Sequence, residues 1–237
     1  MTKSSRIRRR VLHTADLHLL SVSDRSSQSL EAIVELVNKS NVDLVIFAGD
    51  LFDHNRVEES LVRFTVEQLR RLAVTAVILP GNHDCLVQDS VYQRKDVANL
   101  WQSIPNVKIF KAQEGETLVL PELGISLWGK PICSYDGDVR PLEGIPPPEK
   151  NGLWHIAVAH GYYTGTAHQQ QCWFSISLEE IATSCQDYVA LGHWPSFRCL
   201  CSEPVKAYYC DSPSLSGTVN IVDLTEETGV EVSRCFL

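Results

Sequence analysis

The segment VDLVIFAGDLFD, residues 42–53, combines an unbroken apolar run with two carboxylates that follow it closely. Such a run is typical of a strand in a sheet that is buried on both faces. Similar segments lie before and after it in the chain, RRRVLHT at 8–14 and TAVILPGNHD at 75–84. The sequence therefore predicts three strands of one sheet.

Helices are predicted between these strands, because apolar residues recur there at helical spacing. The first set comprises Leu30, Ile33, Val34 and Val37, and the second Val62, Val66, Leu69 and Leu72. Alternation of strands and helices implies parallel pairing of the strands with right-handed crossovers.

Short strands dominate the chain beyond residue 105, and turn residues such as those at 226–229 separate some of them. The predicted strands are VKIF, TLVL, GISLWG, LWHIAVAH, YVALGH, FRCLC, VKAYYC, GTVNIVDL and GVEVSRCF. Segments 134–151 and 161–175 are predicted loops. We therefore expect an α/β fold, a four-layer α/β/β/α sandwich of two packed mixed sheets, forming one domain over residues 1–237.

Composition narrows the classes of function. The 237 residues carry a net charge of −8, whereas proteins that follow long nucleic acids usually present a basic face. Apolar runs stay far below the roughly 20 residues that span a bilayer, and the N-terminal segment is not of the export-signal kind. We therefore expect a cytoplasmic protein without membrane contact.

The eight cysteines form no Cys-x-x-Cys pair. This pattern favours buried, reduced thiols that pack as small apolar groups. A structural zinc site formed by Cys199, Cys201 and Cys210 is the alternative, although its spacing is unusual for zinc.

Metal-binding residue types follow five of the predicted strands at their carboxyl ends, where open α/β sheets place their sites. Each Asp, Asn or His is a weak signal by itself, but together they share one position in the fold and one ligand chemistry. They are Asp16 and His18, Asp50 and Asp53, Asn82, His83 and Asp84, His160, and His193.

These residue types suit a pair of divalent ions. Two ions roughly 3.5–4 Å apart need a carboxylate between them, and neutral imidazoles can complete each ligand set. A mixed nitrogen and oxygen set without thiolates favours Mn²⁺, Fe or Zn²⁺ over Ca²⁺. Such a pair activates a water and neutralises charge on a phosphoryl group.

The series DLH at 16–18, GDLFD at 49–53, GNHD at 81–84, AHG at 159–161 and GHWP at 192–195 resembles the calcineurin-like metallophosphoesterase superfamily. TADLHL, GDLFD and AYYCDSPS look closest to its DNA-repair exonuclease branch, which contains the nuclease subunits of double-strand-break repair. The resemblance covers nearly the whole chain.

The resemblance implies a role for each residue. Asp16 and His18 would hold the first metal, Asp50 would bridge both metals, and Asn82, His160 and His193 would hold the second. His83 would be the unligated general acid, oriented by Asp84 or Asp16, and Asp53 would support the ligands from outside. The cofactor implied is two divalent ions, with Mn²⁺ expected and Fe or Zn²⁺ as alternatives.

Pro195 departs from this branch, which resembles GHxH with its last histidine on the first metal. Proline offers no side-chain ligand, so that metal would keep Asp16, His18 and Asp50, with water at the remaining position. The protein Ser/Thr phosphatase branch also lacks this histidine, and catalytic metals commonly keep open positions.

The function expected is hydrolysis of phosphodiester bonds by a hydroxide bridging the two metals, as in a nuclease-like or nucleotide phosphodiesterase. The alternatives are a phosphomonoesterase acting on a small molecule or phosphoprotein, and a degenerate, non-catalytic scaffold. The net charge favours nucleotides or short nucleic acids over long DNA as substrates. Nucleases of this branch continue into a capping domain and segments that dock an ATPase. Because this chain ends at Leu237, we do not expect an ATPase partner.

Overall fold

The computed structural model describes residues 6–136, 139–165, 173–201 and 203–237. Its strands are β1 (Arg9–Thr14), β2 (Leu44–Ala48), β3 (Thr75–Leu79), β4 (Val107–Ile109), β5 (Glu116–Leu120), β6 (Ile125–Gly129), β7 (Trp154–His160), β8 (Tyr162–Gly165), β9 (Ser175–Ser177), β10 (Tyr188–Gly192), β11 (Arg198–Cys201), β12 (Lys206–Tyr209), β13 (Thr218–Thr225) and β14 (Gly229–Phe236). Its helices are α1 (Arg25–Lys39), α2 (Glu59–Arg70), α3 (Ala98–Gln102), α4 (Leu178–Thr183) and α5 (Pro213–Ser216), with a 3₁₀ turn at Pro121–Leu123.

Two six-stranded sheets form the centre of the fold. The first has the order β14-β13-β1-β2-β3-β4, in which β1 to β4 run parallel and β13 is antiparallel to both of its neighbours, β1 and β14. The second has the order β11-β12-β10-β7-β6-β5, with parallel strands inside and an antiparallel strand at each edge. Both sheets are mixed, which confirms the predicted fold class.

Strand β2 shows why the central run is apolar throughout. Leu44, Ile46 and Ala48 face the second sheet and belong to the core between the two sheets. Val45 and Phe47 point the other way and pack in the core beneath α1 and α2. Since successive strand side chains alternate between faces, a strand covered on both sides has no solvent-facing position.

Helices cover the two sheets unequally. On the first sheet, α1 is capped by Asp24, whose carboxylate accepts a hydrogen bond from the amide of Ser27 at 2.7 Å and so satisfies a free N–H of the first turn. On the second sheet the helical layer, within the residues that the structure describes, consists of the six residues of α4, held by a capping box between Ser177 and Glu180. The small parallel pair β8–β9 lies beside it.

Several short elements were not predicted. Strand β8 occupies the first part of the predicted loop 161–175, of which residues 166–172 lie outside the described part of the chain. Helices α3, α4 and α5 span four to six residues, too few for a helical period to show in the sequence. None of the helices in the described part of the chain is long and apolar enough to cross a membrane.

The two sheets approach each other closely at the carboxyl ends of their central strands. A Cβ on Gly192, at the end of β10, would lie 1.9 Å from the carbonyl oxygen of Ala48 at the end of β2. Only glycine permits this approach. The loops that follow β1, β2, β3, β7 and β10 consequently meet at one point.

Candidate metal centre

The backbone of these loops is unusual at the predicted ligands. Six non-glycine residues in the described part of the chain have positive φ, and four of them are predicted ligands: Asp16 (54°), His18 (52°), Asp50 (51°) and His193 (98°). Such conformations cost free energy and persist only where the surrounding structure imposes them. The backbone amide of Asp16 donates a hydrogen bond to the Gly49 carbonyl, and that of His18 donates one to the Asp50 carbonyl, both at 3.1 Å. These two hydrogen bonds hold the first two loops together.

Asp50 lies at the middle of the cluster and is almost completely buried, with 2% of its surface exposed. Its Oδ2 is 3.1 Å from Nε2 of His160 and 3.8 Å from Nε2 of His18. Its Oδ1 accepts the backbone amide of His83 at 2.9 Å. The carboxylate therefore faces histidines from both predicted ligand sets, as a bridging residue must.

The second predicted ligand set is brought together around the amide of Asn82. Its Oδ1 is 3.0 Å from Nε2 of His160 and 3.0 Å from Nδ1 of His193. The other ring nitrogen of His160 lies 2.9 Å from the Ala48 carbonyl, which can only accept, so Nδ1 carries the proton. This contact leaves Nε2 directed at the site, and one atom each of Asp50, His160 and His193 lies within a common 4.8 Å.

The first predicted ligand set is also assembled. Ligand atoms of Asp16, His18 and Asp50 all lie within 4.8 Å of one another. Both carboxylate oxygens of Asp16 accept the backbone amide of His193, at 3.1 and 3.0 Å. Pro195 is exposed and supplies no donor atom, so this set contains three protein side chains.

Asp53 contacts His18 from the side away from Asp50. Its Oδ1 lies 3.3 Å from Nδ1 of His18. A carboxylate in this position fixes the tautomer and the ring orientation of a ligand histidine. This arrangement agrees with the supporting role predicted for Asp53, although Asp53, His18 and His83 also form a third group compatible with a metal.

The charges within the cluster shift the pKa values of His160 and Asp16. Burial by itself would lower the pKa of His160, but the charge of Asp50, the hydrogen bond to it and the charge of Asp16 raise this pKa to about 9. Burial raises the pKa of Asp16 to about 7, and the nearby Asp50 carboxylate adds to the rise against the attraction of His160. The charges of Asp50 and Asp16 thus favour the positively charged form of His160.

Burial favours the neutral form of the other two candidate ligand histidines. Burial, and then the positive charge of His160, lower the pKa of His193 to about 4. Burial also lowers the pKa of His18, and the attraction of Asp50 does not compensate for it. Neutral imidazole is the form that binds metals.

The two residues predicted to be catalytic occupy different environments. His83 is exposed, its Nδ1 lies 2.9 Å from the Asp53 carbonyl, and its ring makes an edge contact with His18 at 4.6 Å between centroids. Asp84 is fully buried, and its carboxylate accepts the amides of Leu51, Phe52 and Gly81.

The structure therefore does not support orientation of His83 by Asp84 or Asp16. The Asp84 carboxylate accepts hydrogen bonds from backbone amides, and the Asp16 carboxylate accepts one from the amide of His193. The backbone carbonyl of Asp53, rather than the carboxylate of Asp84 or Asp16, is the hydrogen-bond partner of the His83 ring. Asp84 instead fixes the loops after β2 and β3 relative to each other.

The chain matches the calcineurin-like phosphoesterase family over residues 9–202. The protein belongs to this family. Family membership confirms the resemblance and supports a hydrolase that acts on phosphoesters with divalent metals.

Individual relatives are distant. The chain is 25% identical over 219 residues to an uncharacterized metallophosphoesterase, YhaO, of Bacillus subtilis (strain 168), covering 84% of this chain and 51% of that protein. It is 33% identical over 85 residues to the DNA double-strand break repair protein Mre11 of Methanopyrus kandleri, covering 32% of this chain and 19% of that protein. The chain thus spans about half the length of the first relative and a fifth of the second.

Solved structures share the phosphoesterase fold. An archaeal phosphodiesterase superposes with a TM-score of 0.52 at 16% identity, covering 96% of this chain and 99% of that one. A second structure superposes with a TM-score of 0.65 at 10% identity and covers 97% and 99% of the two chains. At these identities the likeness concerns the fold alone.

Two residues that support the candidate site were not predicted. Ser212, within AYYCDSPS, donates from Oγ to the carbonyl of Asp16 at 2.7 Å and so stabilises the positive φ there. Tyr92 donates its hydroxyl to Asp84 at 2.5 Å. The conspicuous Asp-Ser-Pro turn was a usable signal for the first, whereas Tyr92 lies in a loop without one.

The cysteines do not form the zinc site considered from the sequence. Cys210 is buried with its thiol 3.9 Å from the Leu191 carbonyl, whereas Cys199 is exposed. Among the described residues, the groups compatible with a metal contain only Asp and His. The cysteines that the structure describes are free thiols.

Proposed function

We propose that the protein is a metal-dependent phosphodiesterase that hydrolyses nucleotides or short nucleic-acid ends and holds two divalent ions, with Mn²⁺ as the native ion. The observation that carries this proposal is the position of Asp50 between His18 and His160, which lie in two separate ligand sets. Asp16 completes the first set, and Asn82 and His193 complete the second.

The donor set fits the ions. Nε2 of His160 faces two oxygens, of Asp50 and Asn82, at 3.1 and 3.0 Å, and a metal would replace the proton that these oxygens now attract. Carboxylate, amide and imidazole ligands suit Mn²⁺, with Fe or Zn²⁺ also compatible. When bound, the two ions would lower the pKa of a water and neutralise charge that develops on the phosphoryl group.

The protein's own residues supply position and a proton. His83 is the general acid in this proposal, because its ring is exposed beside the first ligand set and is not hydrogen-bonded to Asp50. Its Nδ1 proton is committed to the Asp53 carbonyl, so the proton that reaches the leaving oxygen comes from Nε2. General acids of this kind contribute roughly 10²–10⁴-fold to the rate.

The net charge and the relatives support the choice of substrate. A net charge of −8 gives the protein little overall attraction for a long polyanion, which favours small or short substrates over long DNA. The structural likeness to an archaeal phosphodiesterase and the partial alignment with Mre11 agree with a phosphodiester as the bond cleaved.

The test is an activity panel with added Mn²⁺. We expect faster hydrolysis of bis-p-nitrophenyl phosphate and of short single-stranded DNA than of p-nitrophenyl phosphate. Asp50→Asn should abolish the activity, and Asp43→Asn, in the loop before β2 and away from the ligands, is the matched control. Preference for the monoester would replace the proposal by a phosphomonoesterase, and no activity with any substrate would favour a scaffold.

A further inference from the structure

Two exposed aromatic rings border the metal centre. Tyr162 lies two residues after His160, and Trp194 directly follows His193. Their side chains are 39% and 40% exposed, and the ring centroids are 5.8 Å apart with an interplanar angle of 64°. We call Tyr162 and Trp194 the aromatic pair.

The aromatic pair is one ring away from the ligands of the second set. The centroid of Tyr162 is 6.5 Å from that of His193, which is in turn 5.1 Å from that of His160. A phosphate bound at the ligands would therefore place the group attached to it against these rings. In a nucleotide, that group is a sugar with its base.

The backbone around the aromatic pair is held in place. Pro195 restricts Trp194 to extended conformations. The amide of Ser196 donates a hydrogen bond to the Trp194 carbonyl at 2.8 Å. The amide of Tyr162 donates a hydrogen bond to the Phe174 carbonyl at 2.8 Å. A Cβ on Gly161 would lie 2.1 Å from that carbonyl oxygen, so only glycine allows the strand to pass.

A fixed aromatic surface binds flat ligands at low entropic cost, because little conformational freedom is lost on binding. Exposed apolar side chains elsewhere, such as Val119 on β5 and Phe236 on β14, lie on edge strands of the two sheets. Single exposed residues of this kind need no special explanation. The aromatic pair differs from these because its two rings are in contact and adjoin the site.

On the basis of the proposed phosphodiesterase function, we infer that the aromatic pair stacks an unpaired nucleobase next to the scissile phosphate, so that the substrate is a nucleotide or single-stranded nucleic acid. Every base offers a π-face, so stacking of this kind is tolerant of sequence. It also supplies affinity without basic residues, which an acidic protein needs. Pro195 then has a positive role, since it holds Trp194 in place.

The experiment compares a dinucleotide with its two analogues, each of which carries a hydrogen in place of one base. We expect loss of one of the two bases to lower kcat/KM by roughly 5- to 150-fold, the range that stacking of one base provides, mainly through KM. Trp194→Leu should remove this discrimination and Trp194→Phe should retain most of it. Phe236→Leu, an exposed aromatic on the edge strand β14, is the matched control.

The outcomes separate this inference from the proposed function. Equal kcat/KM for the dinucleotide and both analogues would overturn the inference alone, and would be expected if the aromatic pair covered a protein segment instead. Absence of hydrolysis of all three would count against the proposed function. Quenching of tryptophan fluorescence by thymidine monophosphate would then still decide the inference: a quench that is lost in Trp194→Phe supports it, and no quench overturns it.

Discussion

Replacement of Gly81 by alanine tests whether Asp50 must occupy its observed position. Gly81 directly follows Pro80 after β3, and its backbone passes over the Asp50 carboxylate. A Cβ at this position would lie 2.2 Å from Oδ1 and 2.5 Å from the backbone nitrogen of Asp50. Its φ is not in the left-handed region, so the expected effect arises from this overlap rather than from backbone strain.

The size of the effect follows from the displacement. To reach even 3.0 Å, the Oδ1 atom must move by about 0.8 Å from its present distance of 2.2 Å. This movement disturbs the 2.9 Å bond from the His83 amide and the 3.1 Å contact with His160. Since a misplacement of about 1 Å in an active site costs about 10²-fold in rate, we expect Gly81→Ala to lower kcat about 100-fold and to weaken metal binding.

The assay combines hydrolysis of bis-p-nitrophenyl phosphate with measurement of bound Mn²⁺ and of the folded fraction by circular dichroism. Gly229→Ala is the control, because it strains a positive φ of 73° but its Cβ would meet nothing within 4 Å. We expect the control to lose some stability and to keep its kcat and metal content. A folded Gly81→Ala variant with unchanged kcat and unchanged Mn²⁺ would refute the bridging role of Asp50.

Three further changes probe individual residues. His83→Ala should lower kcat by roughly 10²–10⁴-fold with metal content intact, and less for substrates with good leaving groups, because a general acid matters least there; loss of metal, measured by elemental analysis, would make His83 a ligand. Pro195→His should lower the Mn²⁺ concentration for half-maximal hydrolysis of bis-p-nitrophenyl phosphate by adding an imidazole to the first ligand set; an unchanged midpoint in a folded variant would show that residue 195 does not face this set. Burial lowers the pKa of His13 from 6.5 to about 3. The stability that depends on neutral His13 is therefore complete above pH 6.5 and is lost as the pH falls toward 3, and the loss at pH 5 is about 2 kcal/mol. His13→Gln should therefore lose less stability between pH 7 and pH 5 in urea unfolding, and a parallel loss in both proteins would contradict a neutral, buried His13.

The main strands and the two long helices could be predicted because their signals are local. Strand β2 is apolar at every position since both of its faces are buried, and α1 shows its period over 15 residues. Strand β8 was not predicted because its four residues pair with β9, which lies beyond a stretch of intervening chain. No local pattern reports such a partner.

The candidate ligands could be predicted from the sequence because ligand chemistry belongs to the side chain itself. Asp, Asn and His after successive strands indicate a metal site whatever their distances prove to be, and the carboxyl ends of parallel strands bring them to one edge. The partner of His83 could not be predicted, because it is a backbone carbonyl, that of Asp53, which every residue possesses.

The aromatic pair and the role of Asp84 depend on the tertiary structure. Tyr162 and Trp194 are separated by more than thirty positions in the chain and meet only because β7 and β10 lie side by side. Asp84 directly follows His83 in the sequence, yet it turns into the interior, because three backbone amides and the hydroxyl of Tyr92 there need an acceptor. Sequence specifies which groups are available and at which strand ends they lie, whereas the packing of the two sheets decides which of these groups touch.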